Sequence, residues 1–222
     1  MIGGPLKPDS EEARQFILAN TSLQSPPHVP EVRLYLADET HELWLKTEEE
    51  LATIGLQPPF WAFAWAGGQG VARYILDNTQ LFRNRNILDF ASGSGLVAIA
   101  AAKAGAASVT ATDIDAFALP AMRLNAAANG VTFTPLIEDI VDTDQGWDIV
   151  LAGDVFYDKP MTDRIVPWFD RLTRRGALVI AGDPGRSYLP KDRLIELAVY
   201  TVPVTRALED SEVKRTTVWR FA

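Results

Sequence analysis

A chain of 222 residues, 47% of them hydrophobic and none of them cysteine, can bury a sizeable core but can form neither disulfides nor thiolate metal sites. The net charge is −8, and residues 1–60 hold four basic side chains against ten acidic ones, a face that repels phosphate backbones and argues against nucleic acid as a partner. No apolar run is long enough to span a bilayer, which argues against a membrane, and with only His28 and His41 no multi-histidine metal cluster or Ser-His-Asp centre is expected.

The N-terminal residues have the form of neither a secretory signal nor a transit peptide. A cytoplasmic chain is expected, or a mitochondrial-matrix one if a transit peptide has been trimmed. Two regions are expected: an N-terminal extension over 1–57 and a larger α/β domain over 58–222. In the extension, Glu11 to Asn20 reads as a short helix capped by Ser10 or Asp9, with Phe16 and Ile17 inward. The segment Ser25–Pro30 reads as an extended linker, since its three prolines forbid a helix. Val32, Leu34 and Leu36 alternate as in a strand, with a turn at Asp38–Glu39 and a return strand around Leu43 and Leu45.

From Pro58 the pattern changes. Phe60, Trp61, Phe63 and Trp65 crowd into six residues, followed by Gly67-Gly68 and a helical pattern through Val71, Tyr74 and Ile75. Such a cluster is usually core, as Trp61 and Phe63 can be, but beside glycines and just upstream of a glycine loop it can also wall a pocket for a cation. The rest alternates strands and helices. Strands are expected at Asn86–Asp89, Ser108–Thr112, Val131–Leu136, Trp147–Ala152 and Ala177–Gly182, with helices over Gly95–Ala104, Phe117–Asn129 and Lys159–Thr173. Pro120 is awkward in the second of these helices and Pro167 predicts a kink in the third. Leu197–Val204 and Lys214–Phe221 have no helix between them and are expected to pair antiparallel across the acidic loop Ala207–Glu212.

The chemistry concentrates in NILDFASGSGLVA, Asn86 to Ala98. A glycine loop between a strand and a helix brings backbone N–H groups and the positive helix end close to a ligand. Its spacing fits the dinucleotide pattern G-x-G-x-x-A, with Asp113 standing 18 residues beyond Gly95 where a ribose acid belongs, so an NAD(P)-binding or non-catalytic Rossmann module is one reading. Asp89 before the glycines, Ala91 in place of a further glycine and the C-terminal β-hairpin point away from it. A carboxylate at Asp89 suits a cationic ligand better than a pyrophosphate.

ILDFASGSG with TATDID downstream resembles the class I, seven-stranded, S-adenosylmethionine-dependent methyltransferases. The resemblance implies a Rossmann-like, mostly parallel sheet with helices on both faces and an antiparallel C-terminal hairpin. It implies that Asp89 lies near the methionine ammonium and that the backbone at Ala91, Gly93 and Gly95 approaches the cofactor. Asp113, followed by Ile114, would grip the ribose; Asp115 reads as a helix cap. Asp139 and Ile140 would meet the adenine, Trp65 would help cover the cofactor, and Ala152 would end the fourth strand beside it. AGDVFYD, Ala152 to Asp158, resembles the D-x-x-Y motif of the lysine methyltransferases of this fold, and with WAFAWAGGQG upstream it resembles the enzymes that methylate the electron transfer flavoprotein β subunit. That implies a protein substrate, Asp154 and Tyr157 as catalytic groups, Trp61 and Phe156 as substrate walls, S-adenosylhomocysteine as product, no metal and a monomer. A methyltransferase of the same fold acting on a ribosomal protein or a small molecule is the alternative acceptor reading.

Overall fold

The structure is a computed structural model that describes residues 9–37, 58–204 and 212–222. Glu11–Asn20 forms helix α1, and the Ser10 hydroxyl caps it by accepting from the Ala13 N–H at 3.1 Å. Ser22–Gln24 (β1) and Leu34–Leu36 (β2) pair antiparallel, so the partner of the alternating strand is the segment just before the prolines. The turn at Asp38–Glu39, His41 and the return strand around Leu43 and Leu45 lie outside the described residues. The proline segment is not extended. It folds into two successive tight turns, with Val29 N–H donating to Pro26 O and Val32 N–H to Val29 O.

After one 3₁₀ turn at Phe60–Ala62 come α2 (Ala66–Asp77) and the short α3 (Thr79–Phe82). The chain then runs β3 (Asn86–Phe90), α4 (Leu96–Lys103), β4 (Ser108–Asp113), α5 (Ala118–Asn129), β5 (Thr134–Ile137), β6 (Ile149–Gly153), α6 (Lys159–Arg175), β7 (Leu178–Asp183), β8 (Leu194–Pro203) and β9 (Val213–Phe221). Seven strands make one sheet in the order β5-β4-β3-β6-β7-β9-β8. The first five are parallel, and β9 inserts antiparallel between β7 and β8. This is the seven-stranded Rossmann-like sheet expected.

The start of β5 differs from expectation for an identifiable reason. Gly130, left-handed at φ 63°, ends α5, and the following Val131 N–H bonds back to Ala126 O. Residues 131–133 therefore belong to the helix exit, and β5 starts only at Thr134. Pro120 is the third residue of α5, where a backbone N–H would have no partner inside the helix, so the proline costs nothing there. Helix α6 continues through Pro167 to Arg175.

Side chains alternate between the two faces of the sheet, as the two-residue strand period requires. Ile87, Ile149, Leu151 and Ile180 enter a core under α2, α4 and α5. Leu88, Phe90, Val150, Ala152, Val179 and Ala181 enter a second core under α6, built on Trp168, Phe169 and Phe221. The described part of the N-terminal extension shares the first core through Ala13, Ile17, Val32 and Leu34. It docks on α5 through hydrogen bonds from Tyr35 N–H to Asn125 Oδ1 (2.7 Å) and from Arg33 N–H to Asn129 Oδ1 (3.0 Å).

Helix α2 reaches the sheet at unusually close range. A Cβ added at Gly182 would lie 2.2 Å from the Gly67 carbonyl oxygen, and one at Gly153 2.7 Å from the Gly68 Cα. Only glycines allow this approach. At Gly68 itself an added Cβ meets nothing within 4 Å. Gly182→Ala is therefore expected to cost about 1–3 kcal/mol or more by forcing backbone apart. Gly68→Ala should be neutral or stabilising by up to ~1 kcal/mol through helix propensity. Urea denaturation midpoints of the two variants check this pair.

Candidate active site

The chain leaves β3 for β4 and β5 on one side and returns to β6 on the other, so the C-terminal ends of β3 and β6 form the switch point where α/β sheets hold ligands. Most of the sequence-predicted residues stand at this edge. The glycine loop follows β3, with Ala91 (φ 54°), Gly93 (φ 52°) and Gly95 (φ 82°) all left-handed. Ala91 thus adopts the conformation a glycine would, at a steric cost of about 1–2 kcal/mol.

Asp89 is 1% exposed. Its Oδ2 accepts from the Ser92 hydroxyl at 2.5 Å and from the Ala98 N–H at 2.9 Å. Ala98 is the third residue of α4, whose N-cap Gly95 has no side chain to offer, so Asp89 supplies the missing cap from the neighbouring strand end. Burial nevertheless pushes Asp89 up to about 7, with the Asp113 charge adding to the rise. Asp113 accepts from Gly93 N–H at 2.8 Å and from Asp115 N–H at 2.9 Å, and burial raises it as well. Asp115 accepts from Phe117 N–H just ahead of α5 and is pushed up to about 6, again first by burial. Among the described residues no ion pair joins any of these three carboxylates.

Asp154 repeats the Asp89 device on the next strand. It follows β6 with φ 58°, is 8% exposed, and its Oδ2 accepts from Gly68 N–H at 3.0 Å. Gly68 is the third residue of α2, whose N-cap Trp65 makes no side-chain cap. The other oxygen, Oδ1, pairs with Arg186 Nη2 at 2.8 Å. The guanidinium of Arg186 also lies over the Trp65 ring, 5.9 Å from its centroid. Trp65 Nε1 donates to Phe60 O at 2.9 Å, and its ring meets those of Phe60 and Phe63 edge-on. Tyr157, 50% exposed, sets its ring 5.9 Å from Phe60. Phe60, Trp65 and Tyr157 form an aromatic rim beside the carboxylates. Burial pushes the Tyr157 phenol up, with Asp158 and Asp113 adding to the rise, so its hydroxyl stays neutral.

Not every sequence-predicted residue lines this crevice. Phe156 is fully buried in the second core, 6.5 Å from the Phe221 ring, and is not a substrate wall. Trp61 is a core residue whose backbone lies over Gly93; a Cβ added to that glycine would come 3.6 Å from the Trp61 Cα. Ile140 buries its side chain in the second core, and its carbonyl accepts from Thr143 N–H and Oγ1. Ala152 is buried at the end of β6. Asp139 is exposed and paired with Arg164 at 2.8 Å, and that guanidinium holds its carboxyl below the usual carboxylate range. Ile114 stands open beside Asp113. Arg186 was not among the residues the motifs single out, although the Asp-Pro-Gly turn that carries it, directly after a strand end, is a signal for it. Asn125 was missed too; its amide donates to Ser94 O at 2.7 Å and ties the glycine loop to α5.

A family model described as ribosomal protein L11 methyltransferase (PrmA) matches residues 73–185. The electron transfer flavoprotein β subunit lysine methyltransferase of Xenopus laevis is 36% identical over 217 residues, covering 94% of this chain and 86% of that protein. The Homo sapiens enzyme of the same description is 34% identical, covering 95% of this chain and 82% of its own length. Among solved structures, magnesium protoporphyrin IX methyltransferase from Synechocystis PCC 6803 with bound SAM shares the fold, with a TM-score of 0.51 at 17% identity over 70% of this chain and 79% of that one. The chain belongs to the electron transfer flavoprotein β subunit lysine methyltransferase family, on the class I methyltransferase fold.

Proposed function

We propose that this enzyme transfers the methyl group of S-adenosylmethionine to a lysine side chain of an electron transfer flavoprotein β subunit, leaving S-adenosylhomocysteine. The observation that carries the cofactor half is the convergence of Asp89 and Asp113 on the glycine loop, with Asp115 beside Asp113, each raised by burial and none in an ion pair among the described residues. A ligand with cationic groups and ribose hydroxyls offsets that charge, whereas a pyrophosphate would add to it. Asp89 faces the ammonium end in this reading, Asp113 the ribose and Ile114 the adenine, with the loop backbone at Ala91, Gly93 and Gly95 against the cofactor. Asp139, already paired with Arg164, offers the adenine its remaining acceptor capacity in this reading. When bound, S-adenosylmethionine supplies an electrophilic methyl on a positively charged sulfur.

The chain's own task is to receive a lysine, let it lose its proton and hold the nitrogen in line. A free lysine has a pKa of about 10.4 and arrives protonated. The Phe60, Trp65 and Tyr157 rim strips water from it, which favours the neutral amine. The neutral Tyr157 hydroxyl accepts a hydrogen bond from the amine and orients it but is no phenolate base. Asp154 holds the N-terminus of α2 in place, a positioning role rather than that of a base. Alignment of this kind accounts for most of the acceleration. The reading puts the enzyme where its acceptor is, the cytoplasm or, behind a transit peptide, the mitochondrial matrix.

Incubation with tritiated S-adenosylmethionine and either recombinant electron transfer flavoprotein β subunit or ribosomal protein L11 tests the acceptor. Label on lysine of the flavoprotein subunit is expected; label on L11 alone, or on RNA in a lysate, overturns it. Tyr157→Phe should lower kcat about tenfold, the worth of one positioning hydrogen bond, with S-adenosylhomocysteine affinity unchanged by calorimetry. Asp89 makes a separate prediction. Its folded pKa, about 7, lies above its unfolded value of 3.8, so it favours the fold most at low pH and that contribution is lost as pH rises from about 4 to 7. Asp89→Asn keeps an acceptor for Ser92 and Ala98 but cannot ionise. In thermal melts without cofactor, the wild type should lose stability relative to Asp89→Asn between about pH 4 and 7, and the two should run parallel above that.

A further inference from the structure

Arg186 lies in the loop after β7, outside every motif that points to the cofactor. Its backbone is pinned there, since Asp183 Oδ1 accepts from both Gly185 N–H and Arg186 N–H at 2.6 Å. From that anchor the side chain crosses to the end of β6, pairs with Asp154 Oδ1 and lies over Trp65. The two Asp154 oxygens are thus divided: one holds helix α2 and the other meets a fixed positive charge.

This division bears on a conflict in the chemistry. A carboxylate beside the acceptor draws the lysine in, but a bare carboxylate within ~4–6 Å also stabilises the ammonium form, which cannot attack a methyl group. We propose that Arg186 is a positioning residue that keeps the acceptor amine neutral: paired with Asp154 and seated on Trp65, it cancels the carboxylate's charge so that the incoming lysine gives up its proton. The proposal rests on the lysine-methylating reading above. Arginine suits the role because its guanidinium stays charged at every working pH and can pair and stack at once.

The charges around the pair leave Arg186 as its compensating cation among the described residues that face it. Helix α2 brings none until Arg73, which pairs with Glu31 and Asp77. At the end of β7, Asp183 is engaged by the loop it anchors. After β6, Asp158 caps α6 through Met161 N–H, Lys159 pairs with Asp163, and Tyr157 is neutral. Across the crevice stand Asp89, Asp113 and Asp115, all of which would add to the retention of a proton on the amine. Opposite Asp183, β9 places the uncharged Thr217.

The test is the pH dependence of kcat, measured with recombinant electron transfer flavoprotein β subunit and tritiated S-adenosylmethionine for wild type, Arg186→Gln and Arg186→Lys. Arg186→Gln should move the acid limb of the profile up by about one pH unit, so that its rate falls about tenfold near pH 7 and converges on wild type near pH 9.5. Arg186→Lys should restore the wild-type limb, and S-adenosylhomocysteine affinity should stay within about threefold in both variants. A loss in Arg186→Gln by one factor at every pH, or an unmoved limb, overturns the proposal. Should Arg186→Gln fail to bind S-adenosylhomocysteine, Arg186→Met takes its place: a limb moved up by about one pH unit supports the proposal, and a uniform loss or an unmoved limb overturns it. Wild-type enzyme that labels no lysine at any pH refutes the acceptor reading and this inference with it, whereas a labelling wild type with an unmoved variant profile refutes this inference only.

Discussion

Two aspartates at the ends of adjacent parallel strands hold the site together. Asp89 near the end of β3 and Asp154 just after β6 each reach the third N–H of a helix whose own N-cap has no usable side chain. A carboxylate at a helix N-terminus is worth roughly 0.3–2 kcal/mol from the dipole and about 1 kcal/mol as a cap. Taking a carboxylate out of water costs more than that, as the raised Asp89 pKa records. The shortfall makes the two sites chemically different. Asp154 has a permanent cation in Arg186, while Asp89 is left with hydrogen bonds and negative neighbours. One carboxylate is closed by the protein, and the other is open to a cationic ligand.

The glycines serve the same arrangement. Helix α2 can bring its N-terminus to Asp154 only because Gly67 and Gly182 touch through bare backbone, with Gly153 doing the same against Gly68. The aromatic rim then follows from where α2 begins: Trp65 is the residue before its first turn, and Phe60 lies one short turn earlier. The N-terminal extension is tied into this from the opposite side. Asn125, fully buried on α5, accepts from Tyr35 N–H and donates to Ser94 O, so one amide joins the extension to the glycine loop. A buried amide satisfied on both ends rigidifies what it connects.

The chemistry-bearing loop was legible because its constraints are local. Strand, glycine turn and helix are set by backbone permissiveness and side-chain period within Asn86 to Ala98, and Asp113 follows one strand later at the same edge. The same locality explains the errors. Phe156 sits two residues from Asp154 and reads as its companion, yet the chain turns at Asp154 and sends the Phe156 ring into the core under α6. Trp61 and Ile140 likewise read as pocket residues from their neighbours, and their burial was decided by helices far away in the chain.

What the residues determined by themselves was the type of ligand and the alternation of the fold: carboxylates and glycines at strand ends, apolar runs between them, and a final strand pair without a helix. These are matters of composition, spacing and period, which a linear chain carries in full. What only the tertiary structure decided was how each charge is balanced. Whether Asp154 meets a substrate alone or already paired depends on Arg186, 32 residues further on, arriving across the end of the sheet. Charge compensation acts through distance and burial, and neither exists until the chain has folded.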